Sequence, residues 1–172
     1  RVLHTPITNV EELKFDLISQ LDNMDRKDNV IVVIDSIGNL ASKKEMEDTM
    51  NEKSVADMSR AKALKGLFRM TTPYLAMKNI PLLAVNHTYM EIGLFPKAIV
   101  GGGTGIYYSA DNIWIIGRRQ NKTGTEVTGY DFVVNIEKSR YVKEKSKIPV
   151  TVSWEGGVEK YSGLLEVALA AG

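Results

Sequence analysis

The chain has 172 residues, of which 44% are hydrophobic and 25% are charged. These are ordinary values for a globular domain, so they exclude overall disorder and a collagen-like repeat. The sequence contains no cysteine and two histidines, which excludes disulfides, thiolate zinc sites and a cysteine nucleophile. The formal net charge is +1, so any nucleic-acid binding must rest on local patches. No apolar run reaches the length of a membrane helix.

The first half of the chain predicts alternating helices and strands. Thr8 and Glu11 form a capping-box pattern, and apolar residues then recur at helical spacing over residues 10–24. Residues 30–34 are consecutive β-branched apolar residues, which predicts a strand buried on both faces, as in a parallel sheet. The other elements predicted in this half are a helix over 54–78, kinked or restarted at Pro73, and a buried strand over 81–86.

The second half predicts mostly strands. Residues 88–105 are glycine-rich and without periodicity, which is typical of a functional loop. The elements predicted after this loop are strands over 112–117, 130–137 and 148–154, a polar connection over 118–129 and a short helix over 162–171. This order predicts a single α/β domain whose sheet is extended by antiparallel strands, without a linker or an internal repeat.

An acid follows the first predicted strand. Asp35 and Ser36 would therefore lie at the carboxyl edge of the sheet, where α/β proteins bind their ligands. In P-loop NTPases an aspartate at this place orients Mg²⁺ and its waters. The alternative is that Asp35 only caps the next turn. The phosphate-loop pattern G-x-x-x-x-G-K-[ST] does not occur in the chain.

Polar residues also follow the second predicted strand. Asn86 and His87 would lie beside Asp35 if the two strands are neighbours, and could contact a bound phosphate. The alternative is a hydrogen-bonded pair within a loop. The loop that follows offers a backbone nest for phosphates, with the alternative of a plain surface loop. Its candidate residues are Lys97, Gly101, Gly102, Gly103, Thr104 and Gly105.

A basic stretch follows the strand predicted over 130–137. Alternation along an extended chain would place Lys138 and Arg140 on the same side, as a cationic clamp for phosphates. The alternative is a solvated strand edge guarded by lysines.

Four segments together resemble the RecA-type recombinases, in particular those of T4-like bacteriophages. They are VIVVIDSIGNLASKKE, AVNHTYMEIG, VGGGTGIYYSADNIWIIGRRQ and VNIEKSRYVKEKSKIPV, in this order and spacing. The resemblance covers essentially the whole chain. It implies a RecA-like core with a mostly parallel central sheet, flanking helices and antiparallel strands toward the C-terminus. It also implies a DNA-dependent ATPase that forms filaments on single-stranded DNA, pairs them with homologous double-stranded DNA and exchanges strands.

The resemblance also implies roles for individual residues. Asp35 would support Mg²⁺ through water with Ser36 beside it, and Asn86 and His87 would be catalytic, His87 sensing the ATP γ-phosphate. Two DNA-binding loops would span residues 47–55 and 88–105. In the assembled filament, Lys138 and Arg140 would reach the ATP of the neighbouring subunit, and Tyr107 would lie in the subunit interface.

The resemblance further implies where the protein acts and with what. We expect ATP and Mg²⁺ as cofactors, and a phage single-strand-binding protein and a recombinase loader as partners. We expect no membrane association, and a location in the cytoplasm of the infected bacterial host. The family's phosphate loop and catalytic glutamate would lie upstream of Arg1 and its C-terminal extension beyond Gly172, so we expect this chain alone to be a partial, inactive core. The alternatives are a non-catalytic recombinase-like mediator and a replicative helicase of the same superfamily.

Overall fold

The computed structural model describes residues 1–51, 58–94 and 96–171. Contacts between residues divide the chain into two compact units, Arg1–Ala110 and Asp111–Gly172. The first unit combines helices with two small sheets, and the second is built on one antiparallel sheet. The α/β class is therefore confirmed, while the single domain stays a prediction.

Helix α1 spans Val10–Asp22 and begins one residue later than the predicted capping box implied. The N-cap is Asn9, whose side chain accepts a hydrogen bond from the backbone N–H of Glu12. The carboxylate of Glu12, and not that of Glu11, reaches back to the backbone and hydroxyl of Thr8, at 2.8 and 2.7 Å. These bonds hold the pKa of Glu12 below its usual value.

Strands β1, Val32–Ile34, and β2, Leu82–Ala84, pair in parallel, with Val32 opposite Leu82. One face of the pair packs on the core of the first unit, where Ile34 is buried. The other face is exposed, and the solvent-accessible fraction is 57% for Val33 and 51% for Leu83. The expectation of burial on both faces is therefore wrong for this chain. Because only two parallel strands are described, the wider parallel sheet stays a prediction.

Helix α2 spans Lys43–Met50, and helix α3 spans Ser59–Lys78 without a break at Pro73. The predicted restart at Pro73 is wrong, since apolar side chains on both sides of the proline pack on one core, and the kink stays a prediction. Leu64, Leu67 and Phe68 precede the proline, and Tyr74 and Leu75 follow it. Asn79 ends the helix in the left-handed conformation, with φ 55°.

The segment over 88–105 is not the irregular loop that the sequence predicted. Strands β3, Thr88–Met90, and β4, Ala98–Val100, form an antiparallel hairpin. Helix α4 then begins at Thr104 and ends at Ser109. Strands of three residues are too short to produce a readable period of two, which explains the miss.

The second unit contains β5 (Asn112–Thr123), β6 (Glu126–Ser139), β7 (Lys147–Ser153), β8 (Gly157–Val158) and helix α5 (Leu164–Ala171). The strands lie in the order β5-β6-β7-β8 and are all antiparallel, as predicted for this end of the chain. Most of the predicted polar connection over 118–129 is strand, because the hairpin turns at Gly124, with φ 64°.

Two glycines give a stability test with opposite signs. A Cβ at Gly66, inside α3, meets nothing within 4 Å, so Gly66→Ala should stabilise the protein by about 0.5–1 kcal/mol. A Cβ at Gly129, in β6, would lie 2.2 Å from the carbonyl oxygen of Val152, so Gly129→Ala should destabilise it by about 1–3 kcal/mol. Urea unfolding measures both changes. Equal effects of the two substitutions would contradict the packing described.

Candidate functional site

The carboxyl ends of β1 and β2 meet at one edge of the parallel pair. The backbone N–H of Val85 donates to the carbonyl of Ile34 at 2.9 Å, and that of Ile37 donates to the carbonyl of Val85 at 3.0 Å. Asp35 and Ser36 follow β1, and residues 86 and 87 follow β2. The sequence-based condition that the two strands are neighbours is therefore met.

Asp35 and Ser36 present different chemistry at this edge. The Asp35 side chain is exposed, whereas the Ser36 Oγ is buried and has no hydrogen-bond partner within the described part of the chain. An unpaired buried hydroxyl costs about 1–3 kcal/mol, which a ligand or its water can recover. A free carboxylate beside such a hydroxyl fits hydrated Mg²⁺, which is bound in proteins through one or two carboxylates and keeps several waters.

The described residues contain no cluster of three or more histidine, aspartate or glutamate side chains that could hold a metal ion. A cage built wholly from protein ligands is therefore not what these residues offer. One carboxylate supported by water and by the phosphates of a nucleotide needs no such cluster.

Asn86 connects the end of β2 to the glycine-rich segment. Its Nδ2 donates to the carbonyl of Gly101 at 2.8 Å, and its Oδ1 accepts from the backbone N–H of His87 at 2.9 Å. The N–H of Gly101 in turn donates to the carbonyl of His87 at 2.9 Å. Asn86 thus makes hydrogen bonds within the loop, which was the alternative considered from the sequence. These bonds join the end of β2 to the glycine-rich segment.

His87 lies against the turn that follows β1. Its Nε2 is 2.9 Å from the Oδ1 of Asn39. Its ring fills the space in front of Gly38, where an added Cβ would lie 2.1 Å from the ring Cδ2. Sequence reasoning missed Gly38 and Asn39. The signal that was available is the glycine placed shortly after the strand-end acid, where only a residue without a side chain lets the ring approach.

The glycines over 101–105 serve close packing. Gly102 and Gly103 have φ of 89° and 83°, a region that favours glycine. A Cβ at Gly102 would lie 2.9 Å from the Cδ1 of Leu64, and one at Gly105 would lie 2.7 Å from the Cβ of Lys65. The segment is therefore held tightly on α3. Because the N–H of Gly101 already bonds to His87, it is not part of an open phosphate nest.

Three cations lie on α3 beside this segment, at positions i, i+3 and i+7. Lys62, Lys65 and Arg69 are exposed, and Lys65 contacts the position of Gly105. We call these three side chains the α3 cation row. The row was not predicted from the sequence, because only the apolar face of this helix was interpreted. The spacing itself was the signal, since residues three and four apart share a helix face.

The other predicted site residues are placed as follows. Lys97 is exposed next to β4, and Thr104 begins α4. Tyr107 is half-buried in α4, and its ring meets the exposed ring of Tyr108 edge-on at 6.0 Å. Residues 47–50 of the first predicted DNA loop belong to α2, and residues 52–57 lie outside the described part of the chain.

Of the two residues predicted to form a cationic clamp, Lys138 lies in a strand and Arg140 lies beyond its end. Strand β6 ends at Ser139, so alternation can fix the side of Lys138 but not that of Arg140. Arg140 forms an exposed ion pair with Asp111, with Nη1 and Oδ1 3.3 Å apart, and its N–H donates to the Asp111 carbonyl. The Arg140 guanidinium is thus already next to one anion.

Comparison with known proteins gives the class of the chain. No protein-family profile matches it. It is 24% identical over 145 residues to Protein RecA of Paracoccus denitrificans, covering 83% of this chain and 40% of that protein. It is 25% identical over 183 residues to the mitochondrial DNA repair protein recA homolog of Dictyostelium discoideum, covering 95% of this chain and 38% of that protein.

One similarity is much stronger. Over all 172 residues the chain is 56% identical to the "Recombination and repair protein" of Enterobacteria phage T4, of which it covers 44%. The resemblance to RecA-type recombinases that the motifs carry is thereby confirmed, and along its whole length the chain is similar to this T4 protein, UvsX. The chain spans less than half the length of the curated relatives named here.

The contact between Gly38 and His87 gives a direct test of the site. Gly38→Ala should push the exposed ring away and break its bond to Asn39, at a cost in stability of about 0.5–1.5 kcal/mol. Urea unfolding measures the stability, and the ring ¹⁵N shifts of His87 report the bond. Gly117→Ala is the matched control, because its Cβ meets nothing within 4 Å. Unchanged His87 shifts in the Gly38 variant would contradict the contact.

Proposed function

We propose that this chain is part of an ATP-dependent DNA recombinase that forms filaments on single-stranded DNA. The protein pairs the bound strand with homologous double-stranded DNA and exchanges strands, in phage recombination, repair and replication. The observation that carries the proposal is the meeting of Asp35 and Ser36 with Asn86 and His87 at one sheet edge. The names of the T4 protein and of the RecA relatives support a role in recombination and repair.

The proposed nucleotide site uses ATP and Mg²⁺. Asp35 would hold the ion through water, and the Ser36 hydroxyl would find in that water the partner that it otherwise needs. The ion supplies positive charge next to the phosphate oxygens. His87, at the end of the neighbouring strand, presents the imidazole that senses the terminal phosphate. The side chain of Asn86 keeps that strand end joined to residue 101.

The hydrogen bonds around His87 support a link between nucleotide and DNA. The carbonyl of His87 accepts from the N–H of Gly101, so a shift of His87 on contact with phosphate moves the glycine segment with it. That segment packs on α3 through Gly102 and Gly105. A nucleotide can thereby change the surface beside the α3 cation row, which is the kind of order-changing switch that NTPases use.

The proposed DNA contacts are electrostatic. The α3 cation row and Lys97 are exposed near the glycine segment, and cations on phosphates bind without regard to base sequence. This property suits a protein that must accept any strand. Homology would then be read by base pairing between the strands and not by side chains.

The proposed filament uses the remaining site residues. Lys138 and Arg140 would contact the ATP of the next subunit, and Tyr107 would lie in the interface. Arg140 would exchange the Asp111 carboxylate for a phosphate, which costs little free energy because exposed ion pairs contribute only about 0–1 kcal/mol.

The protein would act in the cytoplasm of the infected host, with a phage single-strand-binding protein and a loader. Of the helices in the described residues, none is long and apolar enough to cross a membrane.

Replacement of Asp35 tests the nucleotide site. In the full-length gene product, Asp35→Asn should lower DNA-stimulated ATP hydrolysis at least a hundredfold, because the amide cannot hold Mg²⁺ by charge. Phosphate release in the presence of single-stranded DNA measures the change. Asp22→Asn, at the exposed end of α1, is the control and should leave turnover unchanged. Undiminished turnover in the Asp35 variant would remove this carboxylate from the site.

Replacement of the α3 cation row tests the DNA surface. Changing Lys62, Lys65 and Arg69 together to alanine should weaken single-strand binding and lower the slope of log K against log salt by about 2, at about 0.7 per phosphate contact. Fluorescence anisotropy over a salt series measures both effects. The matched control removes the same charge elsewhere, through Lys14→Ala, Arg26→Ala and Lys27→Ala. An unchanged slope in the first variant would show that the row does not touch DNA.

A further inference from the structure

The turn between β1 and α2 is joined to the start of α3 by the Arg60 side chain and by a hydrogen bond between the hydroxyls of Ser42 and Ser59. Arg60 donates from Nε to the carbonyl of Leu40 at 2.7 Å. It also donates from Nη2 to the carbonyls of Ile37 and Gly38, at 2.8 and 3.1 Å. A planar guanidinium is the side chain that can hold several acceptors in a fixed geometry. Arg60 is half-buried, so these bonds are partly shielded from water.

The same turn carries the residues that contact His87. Asn39 offers its Oδ1 to the Nε2 of His87 at 2.9 Å, and the His87 ring lies against Gly38. The Oδ1 can only accept, so Nε2 carries the hydrogen of this bond. The bond therefore fixes the orientation of the ring and leaves Nδ1 as the second polar atom of the imidazole.

We propose that Asn39 and Arg60 are positioning residues for His87. Asn39 orients the imidazole, and Arg60 holds the turn on which Asn39 lies and joins that turn to α3. This inference rests on the proposed function, since it deepens the role of His87 as the nucleotide sensor. It proposes how DNA bound at the α3 cation row, which begins two residues after Arg60, could affect the His87 ring that faces the nucleotide.

The path combines the backbone of α3 and of the turn with the hydrogen bonds of Arg60 and Asn39. DNA bound along the α3 cation row would bear on the first turns of the helix, where the Arg60 side chain originates. A shift there is transmitted through the guanidinium to the carbonyls of residues 37, 38 and 40, and then to His87 through the side chain of Asn39. The glycine segment provides a second connection between α3 and His87, through Gly101. The two connections make separate predictions, because only the first passes through Asn39.

A double-mutant cycle on the full-length gene product tests the first link. The quantity measured is the ratio of the Kd for ADP to the Kd for a non-hydrolysable ATP analogue, on single-stranded DNA at fixed salt. His87→Ala should lower this ratio at least tenfold, and Asn39→Ala about fivefold, as the loss of one hydrogen bond predicts. The double variant should match His87→Ala within about twofold, because Asn39 acts only through the ring.

Two further variants keep this test specific. Asn39→Asp retains an acceptor for Nε2 and should retain the nucleotide ratio. Asn23→Ala removes an asparagine bond of similar kind, from Nδ2 to the Ser19 carbonyl at 2.8 Å, and should leave the ratio unchanged. If Asn39→Ala and His87→Ala lower the ratio independently and their effects multiply, Asn39 does not act through the ring and the inference is overturned. If His87→Ala alone changes nothing, the proposed sensor itself fails, which is a different result.

The link through Arg60 is tested by the stimulation of ATP hydrolysis by DNA. Arg60→Ala should lower the ratio of stimulated to basal turnover at least fivefold. Lys78→Ala is the matched control on the same helix, since its Nζ also donates to three backbone carbonyls, those of Leu21, Asp22 and Met24. If Arg60→Ala does not fold, Arg60→Lys provides the comparison and should show a partial loss. Equal losses of DNA stimulation in the Arg60 and Lys78 variants would show that Arg60 acts only on the stability of the fold, which would overturn the inference.

Discussion

The parallel pairing of β1 and β2 is the constraint on which the candidate site depends. The pairing continues past the regular strands, through the bonds from Val85 to Ile34 and from Ile37 to Val85. Each strand ends in polar residues, so this register places the carboxylate of Asp35 and the imidazole of His87 at one edge of the sheet. A shift of one residue would turn the side chains to the opposite face and separate the site.

Close backbone approach is the second constraint, and glycines make it possible. Gly38 admits the ring of His87, and Gly102 and Gly105 admit the side chains of α3. The glycine-rich character of the segment over 101–105 therefore has a packing cause as well as any functional one. The packing connects the two strand ends to α3 and its cation row. The coupling proposed between nucleotide and glycine segment rests on this packing and on the hydrogen bonds of Asn86 and His87.

The sequence predicted the elements that long patterns specify and missed those that tertiary contacts decide. The apolar spacing of Val10, Leu13 and Leu17 predicted α1, and all three are buried. The hairpin β3–β4 was missed because its strands are too short to show a period. A restart of α3 at Pro73 was the predicted alternative to a kink, and it does not occur because the core on both sides of the proline overrides its local preference.

The candidate site was predictable at its strand ends and not in its supporting contacts. A polar residue after an apolar run is visible in a sequence, so Asp35 and His87 could be named as candidates. Asn39 and Arg60 have no such signal, since their importance comes from contacts with residues 48 and about 20 positions away. The similarity to the T4 protein confirms the resemblance that the four sequence segments carry.

Hydrogen exchange on the full-length gene product measures whether a nucleotide bound at the strand ends changes the backbone of the glycine segment. Exchange is compared with and without Mg²⁺ and a non-hydrolysable ATP analogue, in the absence of DNA. We expect slower exchange over residues 36–40, 86–87 and 101–105 together, with the centre of β6 unchanged. Slower exchange elsewhere, with these three segments unaffected, would contradict this expectation.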